Sequence, residues 1–288
     1  MYASNFDYYR PTTLNEAVEL LKSKSGAKVV AGGHSLIPAM KLRAASPAAL
    51  VDISRIGGLS GISKDGGNLK IGALATHTAV ASSELVKAEC GLLAETAAHI
   101  GDQQVRNKGT IGGSLAHADP AADYPTAIVA LGGTMTALGP KGAREIAAEN
   151  FFTGLLTTAL AADEVLTSVS VPAYGKTAGA CYLKHRHPAS SYAVAGVAAM
   201  VMMSGGKCTG ARLAVGGVTG NPVRVSAAEE ALMGSACDEA ACAAAAAKVA
   251  AALKDPLSDH YASGEYRVHL ATVLAKRALM MSAERAKG

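Results

Sequence analysis

The 288-residue chain contains no tryptophan and only three phenylalanines, so its cores must be built from small and medium aliphatic side chains. Charge is also sparse: 17% of residues are charged and the formal net charge is +4. That weak excess is not the footprint of a nucleic-acid-binding surface. The five cysteines, Cys90, Cys181, Cys208, Cys237 and Cys242, are odd in number, scattered, and never spaced CxxC. The spacing excludes a disulfide framework and a zinc or iron–sulfur ligand set. No two of the 31 glycines are separated by a single residue, which removes the GxGxxG fingerprint of a nicotinamide-binding Rossmann fold. Gly175-Lys176-Thr177 is not a P-loop, because Ser170 stands where glycine is required. HExxH and GxSxG are missing too. His185-x-His187 could offer two metal ligands but finds no third, so no metal site is assigned. The N-terminus lacks a signal peptide's basic and apolar regions, and the longest apolar run, Tyr192 to Met203, is too short to be a transmembrane segment. Cytoplasmic residence is expected, with the inner membrane face as an allowed peripheral site.

What is present is an apolar, globular chain. Half of its residues are hydrophobic, and its length suits two or three domains. Thr13 is placed to cap a helix over Leu14–Leu21, and the β-branched run Lys28–Val30 reads as a strand ending at Gly32-Gly33. Val51–Ile53 is a further strand. The glycine-rich stretch between Ile56 and Gly72 marks a subdomain boundary. Leu69–Ala73 is read as a strand, Thr78–Val86 and Gly91–Ile100 as helices, and Val165–Val171 as an alternating strand stopped by Pro172. After a linker near Tyr174–Thr177, three strands follow at Ala180–Lys184, Ala193–Met203 and Cys208–Val215, the last two joined at Gly205-Gly206. The remainder is helical: Ala227–Leu232, Glu239–Leu253 and Tyr266–Arg285. Apolar faces on these late helices serve a core or a partner equally well.

Two of the seven Gly-Gly pairs are candidates for ligand binding. Ala31-Gly32-Gly33-His34-Ser35 follows a strand directly, and Thr110-Ile111-Gly112-Gly113-Ser114 lies about 80 residues later. Paired glycines can turn successive N–H groups toward one point and let the backbone approach a ligand, with neighbouring hydroxyls adding donors. Two such nests facing each other would suit a diphosphate. Ordinary turns would leave the same residues in the sequence.

The runs Val30–Pro38 with Met40–Arg43, Gln104–Asn107 leading into Gly109–Asp123, Tyr182–Lys184 and Tyr261–Ala271 resemble the FAD-binding medium subunits of molybdenum hydroxylases. The likeness is strongest to the aerobic carbon monoxide dehydrogenase branch and spans nearly the whole chain. It implies an α+β fold: a two-subdomain FAD-binding domain of the vanillyl-alcohol-oxidase/xanthine-dehydrogenase type over 1–175 (subdomains about 1–58 and 59–175). A C-terminal domain over 176–288 follows, with a three-stranded antiparallel sheet and helices. It also implies site roles. Ala31, Gly32, Gly33, His34 and Ser35, with Leu36, would wrap the FAD diphosphate, and Thr110, Ile111, Gly112, Gly113 and Ser114 would close over it. Asp123 would hydrogen-bond the cofactor; Ile100, Leu166, Lys184 and Tyr192 complete the implied contacts. Each has a plainer alternative. Asp123 could cap a helix, Lys184 could be a solvated strand-end charge, and Tyr192, Ile100 and Leu166 could be core. His34 stands where many relatives carry Gln, so only its backbone is assigned; His117 and Asp119 have no assigned role.

The resemblance implies an oxidoreductase chain with no catalytic acid or base of its own. It would take electrons from [2Fe–2S] clusters on a small subunit, fed by the molybdenum cofactor of a large subunit, and pass them to an external acceptor, a quinone in the carbon monoxide branch. A dimer of heterotrimers is the implied assembly. The alternatives are a flavoprotein subunit for an N-heterocycle or an aldehyde, a self-sufficient flavin oxidoreductase, and a non-catalytic nucleotide-binding protein.

Overall fold

The computed structural model describes residues 1–287. Thr13 caps the first helix, Leu14–Ser23, its hydroxyl accepting from the Glu16 N–H at 3.2 Å. Glu16 in turn accepts from the Thr12 N–H at 2.8 Å. This reciprocal pairing satisfies amides that a helix start leaves open. The helix turns Ala17, Val18 and Leu21 inward. A three-stranded parallel sheet lies beside it, in the order Asp7–Tyr9, Ala49–Asp52, Ala27–Val30. The strand Ala27–Val30 runs straight into Gly32-Gly33.

A five-stranded antiparallel sheet follows, ordered Ile62–Asp65, Asn68–Gly72, Val165–Pro172, Thr134–Gly139, Gly142–Ala147. The stretch read as a subdomain boundary therefore adds the strand Ile62–Asp65, which forms a hairpin with the strand expected at Leu69–Ala73, closed at Gly66-Gly67 with Gly66 at φ +57°. Helices that lie in sequence between Asn68–Gly72 and Thr134–Gly139 cover the sheet with an aliphatic core that includes Leu69, Ile71, Leu92, Leu93 and Ile128. The helix expected over Thr78–Val86 is two, His77–Ser82 and Glu84–Glu89. Ser83 ends the first and caps the second by accepting from the Val86 N–H.

The last sheet orders Gly179–Arg186, Ala193–Ser204, Lys207–Gly216 and Val223–Arg224 antiparallel, adding a two-residue edge strand to the three expected. The long helix Gly264–Lys287 packs across the first two of these strands. Its approach is close: a side chain at Gly179 would collide with the Ser282 carbonyl. Small residues thus do here what large aromatics do elsewhere, by shortening the distance between layers. The helix expected over Glu239–Leu253 is broken into Glu239–Ala246 and Val249–Ala252.

The second glycine segment departs most from its sequence reading. Gly112 and Gly113 form the first turns of a helix, Ile111–His117, rather than a loop, and neither has positive φ. Thr110 caps that helix by accepting from the Gly113 N–H at 3.1 Å. Tertiary ties override the helix penalty of glycine: Ile111 N–H donates to Ala75 O at 3.0 Å and Gly112 N–H to Ala73 O at 2.9 Å.

Candidate functional site

A cleft of about 740 Å³ runs between the parallel sheet, the five-stranded sheet and a loop of the C-terminal sheet. Its first wall is the turn after strand Ala27–Val30. Gly33 adopts φ +73°, the left-handed region that a β-carbon disfavours. Through this turn the N–H groups of Gly32, Gly33, His34, Ser35 and Leu36 donate to no acceptor among the described residues. All five residues line the cleft, with Ala31 beside them. The His34 ring is occupied locally, its Nδ1–H donating to Gly32 O at 2.9 Å. Five consecutive unpaired amides in a cleft wall are a donor array for an anion.

The second wall is assembled differently. The N–H groups of Ile111, Gly112, Gly113 and Ser114 are all consumed inside the protein. The expected second nest of amides is therefore not formed. Gly112 is instead required because a β-carbon there would come within 2.5 Å of the Ala73 β-carbon. Thr110, Gly112, Gly113 and Ser114 line the cleft as a bare surface with hydroxyls at its edges. Ile111 does not: it is fully buried and faces the core. The two walls abut, since a β-carbon on Gly32 would run into the Lys108 carbonyl.

Behind the cleft floor sits a buried polar cluster. Asp123 is 4% exposed, lines the cleft, and begins the helix Asp123–Leu131. It does not cap that helix with its side chain. Its Oδ1 accepts from the Tyr182 hydroxyl at 2.5 Å and its Oδ2 from Lys184 Nζ at 2.8 Å. The Lys184 side chain is 1% exposed, so it is neither solvated nor part of the cleft wall. Burial pushes the Asp123 carboxyl up and the Lys184 amine down, and each partner opposes the other's shift. Lys184 Nζ also donates to Ser191 O at 2.8 Å, and Arg186 donates to Ser191 Oγ at 2.9 Å. Ser191 is held at φ +63°, and the next residue is Tyr192. Tyr192 lines the cleft while remaining 39% exposed, so it is not core. Ile100 and Leu166 also line the cleft.

Of the sixteen residues expected at the site, all but Ile111 and Lys184 are thus brought to one cavity. Arg106, within the matched run Gln104–Asn107, is used structurally and donates to Ile100 O at 2.9 Å. Lys28 is the single cationic side chain of Lys or Arg type in the wall. His185 and His187 lie elsewhere, packed edge-on against Tyr266 and Tyr261. Sequence reasoning missed His77, Gly101, Thr157 and Thr158, which also line the cleft. The φ of Gly101, +48°, makes it a turn residue, and an isolated glycine ahead of a capped helix was the available signal. A lone histidine such as His77 gives none.

Comparison with known proteins supplies the context. The family described as "FAD binding domain in molybdopterin dehydrogenase" matches residues 4–174, and "CO dehydrogenase flavoprotein C-terminal domain" matches residues 180–282. The carbon monoxide dehydrogenase medium chain of Afipia carboxidovorans is 39% identical over 288 residues, covering 100% of both chains. The nicotine 6-hydroxylase medium subunit of Paenarthrobacter nicotinovorans is 34% identical, covering 96% of this chain and 97% of that one. Among solved structures, reconstituted CO dehydrogenase from Oligotropha carboxidovorans superposes with a TM-score of 0.96 at 38% identity, covering 99% of this chain and 100% of that chain.

Proposed function

Since the chain belongs to the family of FAD-binding molybdopterin dehydrogenase subunits, the molybdenum hydroxylases, we propose that it is the electron-transfer flavoprotein of a carbon monoxide-oxidising complex. The observation that carries the reading is the run of five unpaired amides from Gly32 to Leu36 in the wall of a cofactor-sized cleft. Those amides would hold the FAD diphosphate. The side-chain-free faces of Gly112 and Gly113, with the Thr110 and Ser114 hydroxyls, would let it lie against the second wall. The fit is supported by the left-handed turn at Gly33, which gathers the free amides in the wall of a cleft that the bare Gly112 and Gly113 also line.

FAD supplies the ability to accept electrons singly or in pairs. The chain's own residues bind, orient and shelter. Asp123, kept in place by Tyr182 and Lys184, presents a carboxylate to the cleft for a donor group of the cofactor. Ile100 and Leu166 would offer apolar surface to the ring system, and Tyr192, which lines the same cleft from the C-terminal domain, would add an aromatic contact. Lys184 acts from behind the wall by fixing both Asp123 and the Ser191 carbonyl. Electrons would arrive from [2Fe–2S] clusters on a small partner chain, after substrate oxidation at molybdenum on a large one, and leave to a quinone. The assembly would be a dimer of heterotrimers. The three larger sheets support a division into subdomains of about 1–58 and 59–175 and a C-terminal domain of 176–288. Among the described residues no helix is long and apolar enough to cross a membrane, and we place the complex in the cytoplasm, with peripheral contact to the inner membrane face allowed.

The likeness to a nicotine 6-hydroxylase subunit favours one second reading, in which the partner large subunit oxidises an N-heterocycle. Purifying the complex from its native source decides between them. Flavin absorbance co-purifying with iron–sulfur and molybdenum chains, and bleached by carbon monoxide, is the expected result. Bleaching by an N-heterocycle but not by carbon monoxide would install the second reading. Reduction of the isolated chain by an organic substrate would overturn both.

A further inference from the structure

His77 begins the helix His77–Ser82, and its backbone N–H donates to Gly109 O at 3.0 Å, tying it to the second glycine segment. The side chain is only 5% exposed, yet it lines the cleft. It is wedged between Tyr124, with ring centroids 5.3 Å apart, and the bare α-carbon of Gly109. A β-carbon on Gly109 would come within 2.5 Å of His77 Nε2. Gly109 is therefore glycine so that this ring can stand where it does.

The two ring nitrogens differ. Nδ1 is sealed from solvent and has no hydrogen-bond partner among the described residues. Nε2 also has no protein partner but is not sealed, and the solvent it meets is that of the cleft. A buried N–H without an acceptor is costly, so the proton of the neutral ring belongs on Nε2. Burial, helped by the nearby His34 and Arg106, lowers the ring's pKa to about 4, so the imidazole is neutral at physiological pH. The result is an uncharged donor directed at a cavity, at the seam where Gly32 abuts the Lys108–Gly109 backbone.

We propose that His77 is a further ligand-contacting residue, its Nε2–H donating a hydrogen bond to a phosphate oxygen of the dinucleotide held between Gly32–Leu36 and Thr110–Ser114. The inference rests on the FAD reading above and extends it to a residue outside both glycine segments. It explains why a polar ring is enclosed at this seam with no protein partner: its partner is the ligand.

The test uses the full-length chain stripped of flavin and titrated with FAD, followed by flavin fluorescence. His77→Phe keeps a ring but removes the donor and is expected to raise the FAD Kd by ~10- to 100-fold, the worth of a hydrogen bond to a charged group. His77→Gln retains an N–H and is expected to recover most of that loss. In the wild-type chain labelled with ¹⁵N-histidine, the His77 Nε2–H resonance is expected to couple to a ³¹P nucleus of bound FAD. A His77→Phe Kd within twofold of wild type, or a wild-type Nε2–H with no ³¹P coupling, overturns the proposal while leaving the flavin site standing. Failure of the wild-type chain to bind FAD removes the flavin site itself, and this inference with it. If His77→Phe does not fold, the wild-type ³¹P coupling decides alone.

Discussion

The buried pair Asp123–Lys184 gives the sharpest energetic test of the site. Both side chains are almost wholly enclosed, and both carboxylate oxygens are engaged by protein donors, Tyr182 at 2.5 Å and Lys184 at 2.8 Å. Lys184→Met leaves a carboxylate in a low-dielectric site with one donor missing. Asp123→Asn leaves a buried ammonium with no counter-charge, beside a neutral amide and the Ser191 carbonyl. Removing one partner of such a pair destabilises by about 3–5 kcal/mol, whereas removing both spares the survivor's desolvation. The loss in the double variant is therefore expected to fall about 2–3 kcal/mol short of the sum of the two single losses. Urea unfolding of the flavin-free chain, followed through the helix Asp123–Leu131, measures the cycle. The pH dependence supplies a second signature. In Lys184→Met the folded-state carboxyl titrates above its unfolded value, so the folded form binds more protons, and the deficit against wild type shrinks as pH falls through that raised pKa. Additivity within about 0.5 kcal/mol, or a deficit that does not change with pH, would refute the reasoning.

Three further outcomes are expected. Gly32→Ala and Gly112→Ala should each destabilise the flavin-free chain by about 1–3 kcal/mol, because their β-carbons meet backbone or a packed methyl; Gly113→Ala, which meets only the Thr110 hydroxyl, should lose less than about 1 kcal/mol in the same urea titration. Tyr192→Ala should weaken FAD binding by about 2- to 10-fold in a fluorescence titration, with Tyr192→Phe close to wild type; equal affinity for the Ala variant removes Tyr192 from the site. His77 has a folded pKa of about 4, below its ordinary 6.5, so the unfolded chain binds the extra proton between those values. Its contribution is present above pH 6.5 and is lost as pH falls toward 4, making wild type lose about 3 kcal/mol more than His77→Gln over that window in acid titrations.

The parts of the fold that the sequence made legible are those whose signal is local. Thr13 followed by Glu16 announces a helix start, and the alternation from Val165 to Val171 announces a strand. Gly205-Gly206 joins its two strands, both glycines at positive φ. What was not legible depends on distant partners. Gly112-Gly113 reads as a turn because paired glycine usually is one. Besides the Thr110 cap, the acceptors Ala73 and Ala75, more than thirty residues away, tie its first amides down as a helix start. Ile111 sits within a contiguous motif, but the helical period turns it away from the cleft. Lys184 could be attached to the site only through family resemblance. Its partner Asp123 is 61 residues earlier, and no local pattern says whether a strand-end lysine is solvated or sealed. The break at Ser83 was in principle readable, since serine caps helices well, but a continuous apolar period masked it.

Two segments with the same Gly-Gly-x-Ser or Gly-Gly-Ser composition thus perform opposite tasks. One keeps its amides free and uses positive φ to gather them; the other spends its amides on the protein and gives up only its side chains. The division has a physical reason. An anion needs donors, but each amide left open to the cleft gives up a protein hydrogen bond, and two facing arrays would double that loss. Concentrating the free donors in one wall and stitching the other to Ala73–His77 confines that penalty to a single turn. The same economy extends to charge. With Lys28 as the single Lys or Arg in the wall, and Lys184 neutralised by Asp123 behind it, the cleft relies on oriented peptide groups rather than flexible cations. Peptide groups held between a strand end and the start of the helix Leu36–Lys41 need no reordering when a ligand arrives, so less binding energy is lost to side-chain entropy. The low charge of the whole chain is therefore a property that its binding site is built to tolerate.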